Sequence, residues 1–302
     1  MMDFVSSFIG LIPVTIAQSL ILSFVAIGIM LPFRILDFPD LSSEGAFPLG
    51  GVVTGVTVAA GYDPLLAIAL AVVCGFLAGC TTAFIHLRFR INTLLAGILV
   101  LTMLYSINLR IMGRTNIALF TYESLFRNLG ASWANDPYFK TLVVGVIVFG
   151  VLALLYAFFN TEKGMGMRAV GASPDMAEAQ GISIWSMTIA GVGLASAFSA
   201  LAGSLMAQSQ GFADVGMGFG ILINGLAALI IGEVIVGRKS IGRQLLAPVV
   251  GSVVYYQLIS LCLTIGLQPG DLKLATGLFV LAMLAAPRLF GGSSTSIAGM
   301  KN

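Results

Sequence analysis

Nine apolar runs of about 17–23 residues, separated by polar breaks, dominate this 302-residue sequence: 10–32, 43–60, 64–86, 92–112, 141–159, 185–207, 220–236, 245–265 and 272–288. A helix that crosses a bilayer needs about 20 such residues. The pattern therefore predicts an all-α integral membrane protein with about nine transmembrane helices and one membrane domain over 1–302. The runs at 43–60 and 220–236 are short and rich in glycine. Composition excludes a soluble fold. The chain is 58% hydrophobic and 9% charged, whereas soluble domains carry about 25% charged residues. The 36 glycines suit membrane helices that pack closely. The first run has no basic residue before it, is too long for a signal peptide, and ends without a small-residue cleavage site, so it reads as a span.

Basic residues favour cytoplasmic loops. With the N-terminus outside and alternating spans, the inner side holds Arg34, Arg88, Arg90, Lys163, Arg168, Arg238, Lys239, Arg243, Arg288 and Lys301. The outer side holds Arg110, Arg114, Arg127, Lys140 and Lys273. A net charge of +2 is too small to imply a nucleic-acid partner. Cys74, Cys80 and Cys262 all lie in apolar runs and have neither metal-ligand nor disulfide spacing. The outer loop 114–140 offers a surface helix over Tyr122–Leu129, followed by Trp133 and Tyr138, which suit the headgroup level.

The longest inner loop, 160–184, contains a punctuated two-turn helix. Ser173 is placed to cap it through its hydroxyl, and Pro174 suits the first helical position. Asp175 and Glu178 sit near the positive pole, and Gly181 suits the left-handed residue that ends a helix. Met176, Ala177, Ala179 and Gln180 give it a mildly apolar surface. Two readings follow: an interfacial helix that joins two spans, or a docking element for a cytoplasmic partner.

The stretch Gly166-Met-Arg-Ala-Val-Gly-Ala-Ser-Pro-Asp-Met-Ala-Glu-Ala-Gln-Gly-Ile182 resembles the coupling-helix loop of ABC importer permeases of the branched-chain amino acid and ribose type. In that family a G-x-x-x-R-A run precedes a small helix and a G-I pair, and Arg168, Ala169, Gly181 and Ile182 fall on that pattern. Residues 190–203 and Ala227–Gly232 also resemble the family's later spans. The sequence departs from the family at Glu233 and in the loop Gly237–Arg243. The resemblance implies a permease subunit in a bacterial cytoplasmic (inner) membrane, paired with a second permease copy, two cytoplasmic ATPase subunits and an external solute-binding protein. It assigns ATPase coupling to Arg168, Ser173, Pro174, Asp175, Met176, Glu178 and Gly181, and implies an amino acid, branched-chain or aromatic, as solute, with a sugar, nucleoside or vitamin as the alternatives.

Residues 34–51 are polar and interrupted by Pro39, Pro48 and several glycines, which free backbone groups for solvent or ligand. They resemble the family's polar segment after the first span, which makes Asp37, Ser42, Ser43 and Glu44 candidates for the translocation path. Asn224, in the seventh run, is a further candidate for the path or for a bond to a neighbouring helix. Glu233 is placed to face Arg238, and His86 to sit at the interface. Phe38-Pro-Asp-Leu41 is echoed by Phe212-Ala-Asp-Val215, and each precedes a short glycine-rich run.

No Gly-Lys dipeptide occurs, so no Walker A phosphate loop is possible. ATP, if it drives transport, is bound by partner subunits, and the chain itself carries no cofactor. A single histidine excludes His-pair zinc motifs, and no nucleophile elbow is present. One rival to an ATP-driven importer is a secondary transporter driven by an ion gradient, with Glu44 and Asp214 as its titratable groups; the other is a structural or receptor-type membrane protein without transport.

Overall fold

A computed structural model describes residues 2–130, 133, 136–266, 271, 274, 276–278 and 281. The chain divides into two compact units, residues 13–256 and a smaller one of residues 1–12 with 257–302. The larger unit carries the features below. Eight of the nine predicted runs correspond to helices: α1 Met2–Met30, α2 Ser43–Ala59, α3 Pro64–Phe89, α4 Thr93–Met112, α6 Pro137–Phe159, α9 Ile184–Gln210, α10 Ile221–Val236 and α11 Ile241–Thr264. The run at 272–288 lies largely outside the described residues. Six described helices are long and apolar enough to cross a membrane, and α10 is apolar but shorter. The remaining elements are α5 (Leu125–Leu129), α7 (Glu162–Ala172), α8 (Pro174–Ala179), and the strands β1 (Asn116–Ala118) and β2 (Phe212–Asp214), which pair antiparallel.

Small residues set the helix directions. Gly28 of α1 packs on Ala195 and Ser199 of α9, while Leu36 beyond α1 reaches Gly191, so the two helices run oppositely. Gly75 and Gly79 of α3 lie on Ser196 and Val192 of α9, again antiparallel. Gly50 of α2 meets Ala200, and Thr54 Oγ1 donates to Ser204 Oγ at 2.6 Å, so α2 and α9 run together. Gly232 and Gly251 bring α10 and α11 together in opposite directions. Without a hydrophobic force between helices in lipid, close backbone approach of this kind supplies the packing. One end of the unit carries the β1–β2 ribbon, the other α7 and α8.

The loop 160–184 holds more helix than its sequence predicts. Two glycines of α7 serve close packing. A Cβ on Gly164 would overlap the Phe158 carbonyl, and one on Gly171 the Ile35 carbonyl. Thr161 caps α7 by accepting the Gly164 N–H at 3.4 Å. The expected hydroxyl cap of Ser173 is absent. Ser173 instead works through its backbone: its N–H closes α7 on the Ala169 carbonyl, and its carbonyl accepts the first α8 bond, from Ala177. Pro174 occupies the first position of α8, and Gly181 is left-handed (φ +81°), as predicted. The surface helix at 122–129 shrinks to α5, capped by Ser124.

These caps make a contrast that can be measured. Asp63 Oδ1 accepts the Leu65 N–H at 2.6 Å and opens α3, so Asp63→Ala should cost about 1 kcal/mol of stability. Ser173→Ala should cost no more than a few tenths, since no side-chain bond is lost. Thermal unfolding of the two solubilised variants checks both, and equal losses would contradict the backbone role given to Ser173.

Candidate functional site

Two segments enter the larger unit from opposite ends and stop at the same place. The first follows α1. Its last turn widens into a π-helix over Leu31–Ile35, closed by the Leu36 N–H on the Leu31 carbonyl at 3.1 Å. The chain then reverses through 36–42, and α2 begins well inside the bundle, with Ser42 Oγ 3.2 Å from Ser196 Oγ in the middle of α9. The second descends from β2 through 215–220, and α10 likewise begins inside. This explains why α2 and α10 are short: each has lost its first turns to an irregular segment. Such interruptions are tolerated in a membrane where protein covers the freed backbone groups.

The four-residue echo is a shared local structure. Asp40 Oδ1 accepts the Ser42 N–H at 2.8 Å, and Asp214 Oδ1 accepts the Gly216 N–H at 2.6 Å. Both aspartates make the same turn, two residues forward. Asp40 is fully buried, and the Ser42 hydroxyl also donates to its Oδ2 at 2.6 Å.

The segments meet at Glu44. Its Oε1 accepts the N–H of Gly220, the residue that opens α10, at 2.7 Å. A Cβ on Gly218 would overlap the Glu44 carbonyl. The positive poles of α2 and α10 thus converge on one carboxylate. Beside it lies a pocket of ≈ 20 Å³ lined by Glu44, Pro48, Leu101, Tyr105, Asn108, Phe219 and neighbouring backbone. It has room for about one water. The Asn108 side chain is fully buried, and neither its amide nitrogen nor its oxygen has a protein partner. The Tyr105 and Phe219 rings lie 6.2 Å apart at the pocket wall.

The five predicted path residues fall in different places. Glu44 lines the pocket. Ser42 is buried outside the pocket lining and bonds to Asp40. Ser43 is buried with an unpaired hydroxyl. Asp37 is exposed and left-handed, with φ +50°. Asn224 Oδ1 accepts from the Tyr255 hydroxyl at 3.0 Å, joining α10 to α11. His86 Nδ1 lies 2.6 Å from the Ile91 carbonyl, with Phe38 edge-on to its ring. Sequence reasoning missed Asn108, Tyr105, Phe219 and Asp40. None of the four stands out as a site residue in sequence: Asn108 is one amide within the apolar helix 93–112, and Asp40 enters only through the four-residue echo.

A second cluster occupies the α7–α8 end. Arg168, Pro174, Asp175, Met176, Glu178 and Gly181 are exposed, and Ser173 is half-buried. Ala177, expected on the open surface, is turned inward and buried. Close behind, Gly171 presses on the Ile35 carbonyl at the π-turn. Arg34 of that turn donates to Glu233 Oε2 at 2.8 Å, and Arg238 pairs with the same oxygen. The side chain of Glu233 is only 5% exposed, so two guanidiniums hold one nearly buried carboxylate.

Residues 12–286 match the family model described as the permease component of the branched-chain amino acid transport system. The chain is 39% identical over 280 residues to the tyrosine transport system permease protein of Clostridioides difficile, covering 93% of this chain and 92% of that protein. It is 32% identical over 273 residues to the uncharacterized protein RP368 of Rickettsia prowazekii, covering 89% of this chain and 95% of that protein. No solved structure matches.

Proposed function

We propose that this chain, which belongs to the family of branched-chain amino acid transport system permeases, is the membrane subunit of an ATP-driven importer of an amino acid. The observation that carries the reading is the near full-length similarity to a protein named for tyrosine transport. An aromatic amino acid is the solute this favours. In this reading an external binding protein delivers the solute at the β1–β2 end, and cytoplasmic ATPases act at the α7–α8 end of a multi-pass protein in the bacterial inner membrane. A second permease copy completes the path.

The geometry supplies a route for the motion. α8 projects with its acidic first turn exposed, as a docking knob requires. Displacement of α8 moves α7, and Gly171 of α7 bears directly on the Ile35 carbonyl. The π-turn is continuous with the segment that carries Asp40, Ser42 and Glu44, and Arg34 ties it to α10 through Glu233. Closure of the ATPases thereby shifts both interrupted helices at their meeting point.

The test is co-purification from membranes of the source cell. Wild type should bring down a subunit that hydrolyses ATP and contains a Walker A loop. Asp175→Lys combined with Glu178→Lys should lose it, while the permease remains folded. Retention by the variant removes the docking role of α8 and leaves the permease reading intact. If wild-type uptake collapses when the ion gradient is dissipated at constant ATP, the ATP-driven reading is wrong.

A further inference from the structure

We propose that the pocket at Glu44 is the solute's own site midway along the path, built for a zwitterionic aromatic amino acid: Glu44 takes the ammonium, Asn108 the carboxylate, and Tyr105 and Phe219 flank the ring. This rests on the amino-acid reading above and names the residues that would carry it.

Three observations converge. Glu44 uses Oε1 on Gly220 and has no cationic side chain paired with it among the described residues. The helix poles and the Gly220 N–H offset part of the cost of a carboxylate inside a membrane bundle, and the ammonium of the solute would add the full opposite charge. Asn108 is fully buried with its whole amide unpaired and lines the same pocket. Buried polar atoms of this kind are rarely left unpaired. Its Nδ2 offers two donors to a carboxylate. The apolar remainder of the wall carries two aromatic rings, Tyr105 and Phe219, that are 45% and 66% exposed. Rings on the exposed rim have space to separate.

The present volume of ≈ 20 Å³ admits a water but no amino acid, so the structure shows the site closed. The Glu44–Gly220 bond is the latch. It links the first turn of α2 to the start of α10, and a solute ammonium competes for the same carboxylate. Opening separates the two interrupted helices and exposes Asn108 and the rings together. A site closed by a bond between the two moving elements opens only when those elements move, which places it on the path and not beside it.

The experiment measures direct binding of L-tyrosine to the solubilised permease–ATPase complex by equilibrium dialysis. Competition follows with tyramine, which lacks the carboxylate, and 3-(4-hydroxyphenyl)propionate, which lacks the amine. Glu44→Gln should weaken L-tyrosine and tyramine by about tenfold or more and leave the deaminated analogue little changed, the loss of one charge-assisted bond. Asn108→Leu should weaken L-tyrosine and the deaminated analogue and spare tyramine. A purely structural role would weaken all three ligands together. Glu44→Asp, which retains the charge, should recover part of the tyramine affinity. If wild type binds and transports L-tyrosine but both variants match it, the site is refuted and the transport function stands. If the wild-type complex, with its binding protein, takes up no amino acid, both readings fall.

Discussion

Gly203→Leu is expected to prevent α2 from seating on α9 and to leave little folded protein. A Cβ at this position would overlap the Phe47 carbonyl and lie 3.2 Å from the Gly51 nitrogen. Both obstacles are backbone, so no rotamer change relieves them. The helices must separate, and a leucine pushes them further. Separation would break the bond between Thr54 and Ser204 and displace the first turn of α2, which holds Glu44. Overpacking of a tight core typically costs 1–3 kcal/mol, and a rigid backbone obstacle raises the estimate to about 4 kcal/mol. The matched control is Gly150→Leu in α6, where no atom lies within 4 Å and the effect should stay within about 0.5 kcal/mol. A thiol-reactive dye can follow unfolding through Cys74, Cys80 and Cys262, which are free and half-buried. A Gly203→Leu melting temperature equal to that of Gly150→Leu would mean the α2–α9 contact is not as close as described.

The sequence reported helices well because lipid imposes one rule. Every span must satisfy its own backbone, so length and hydropathy locate α1, α3, α4, α6, α9 and α11 with little help from tertiary contacts. The same rule failed where protein, not lipid, surrounds the chain. Glycine illustrates the ambiguity. In 160–184 it signals a loop on propensity grounds, yet Gly164 and Gly171 are helical because a neighbouring backbone occupies the place of a side chain. Local spacing cannot reveal a neighbour 136 residues away, as Ile35 is from Gly171.

The site was legible in its charged member only. Glu44 is conspicuous because a carboxylate beside an apolar run demands an explanation. Asn108 and Phe219 are ordinary in sequence, and they become informative once α4 and the 215–220 turn are brought to the first turn of α2. The echo of Asp40 and Asp214 carried more than its four residues suggested, since both positions form the same turn ahead of an interrupted helix. Ser173 shows the reverse: its residue type suggested a side-chain cap, and its position between two helices gave the work to its backbone.

Glu233→Ala should separate ATP hydrolysis from transport. Glu233 holds Arg34 on one side and Arg238 on the other. Its removal leaves two guanidiniums facing an empty site, and the two cations repel. Both arginines are partly hydrated, 33% and 50% exposed, so the stability cost is well below that of a fully buried pair, about 1–2 kcal/mol. The functional cost should be larger. Arg34 belongs to the π-turn against which Gly171 presses, and Glu233 belongs to α10, whose far end is held by Glu44. Cutting this tie lets the π-turn move without carrying α10. ATPase co-purification and hydrolysis should therefore persist, because α8 is untouched, while uptake falls by about tenfold or more, within the span of coupling free energies. Exchanging the pair, Arg34→Glu with Glu233→Arg, restores an attraction between π-turn and α10 and should recover part of the uptake. Uptake at the wild-type rate in Glu233→Ala would show that α10 follows the coupling loop by another route. Equal loss in the single and exchanged variants would show that the cluster positions its helices through its original geometry and not through the attraction itself.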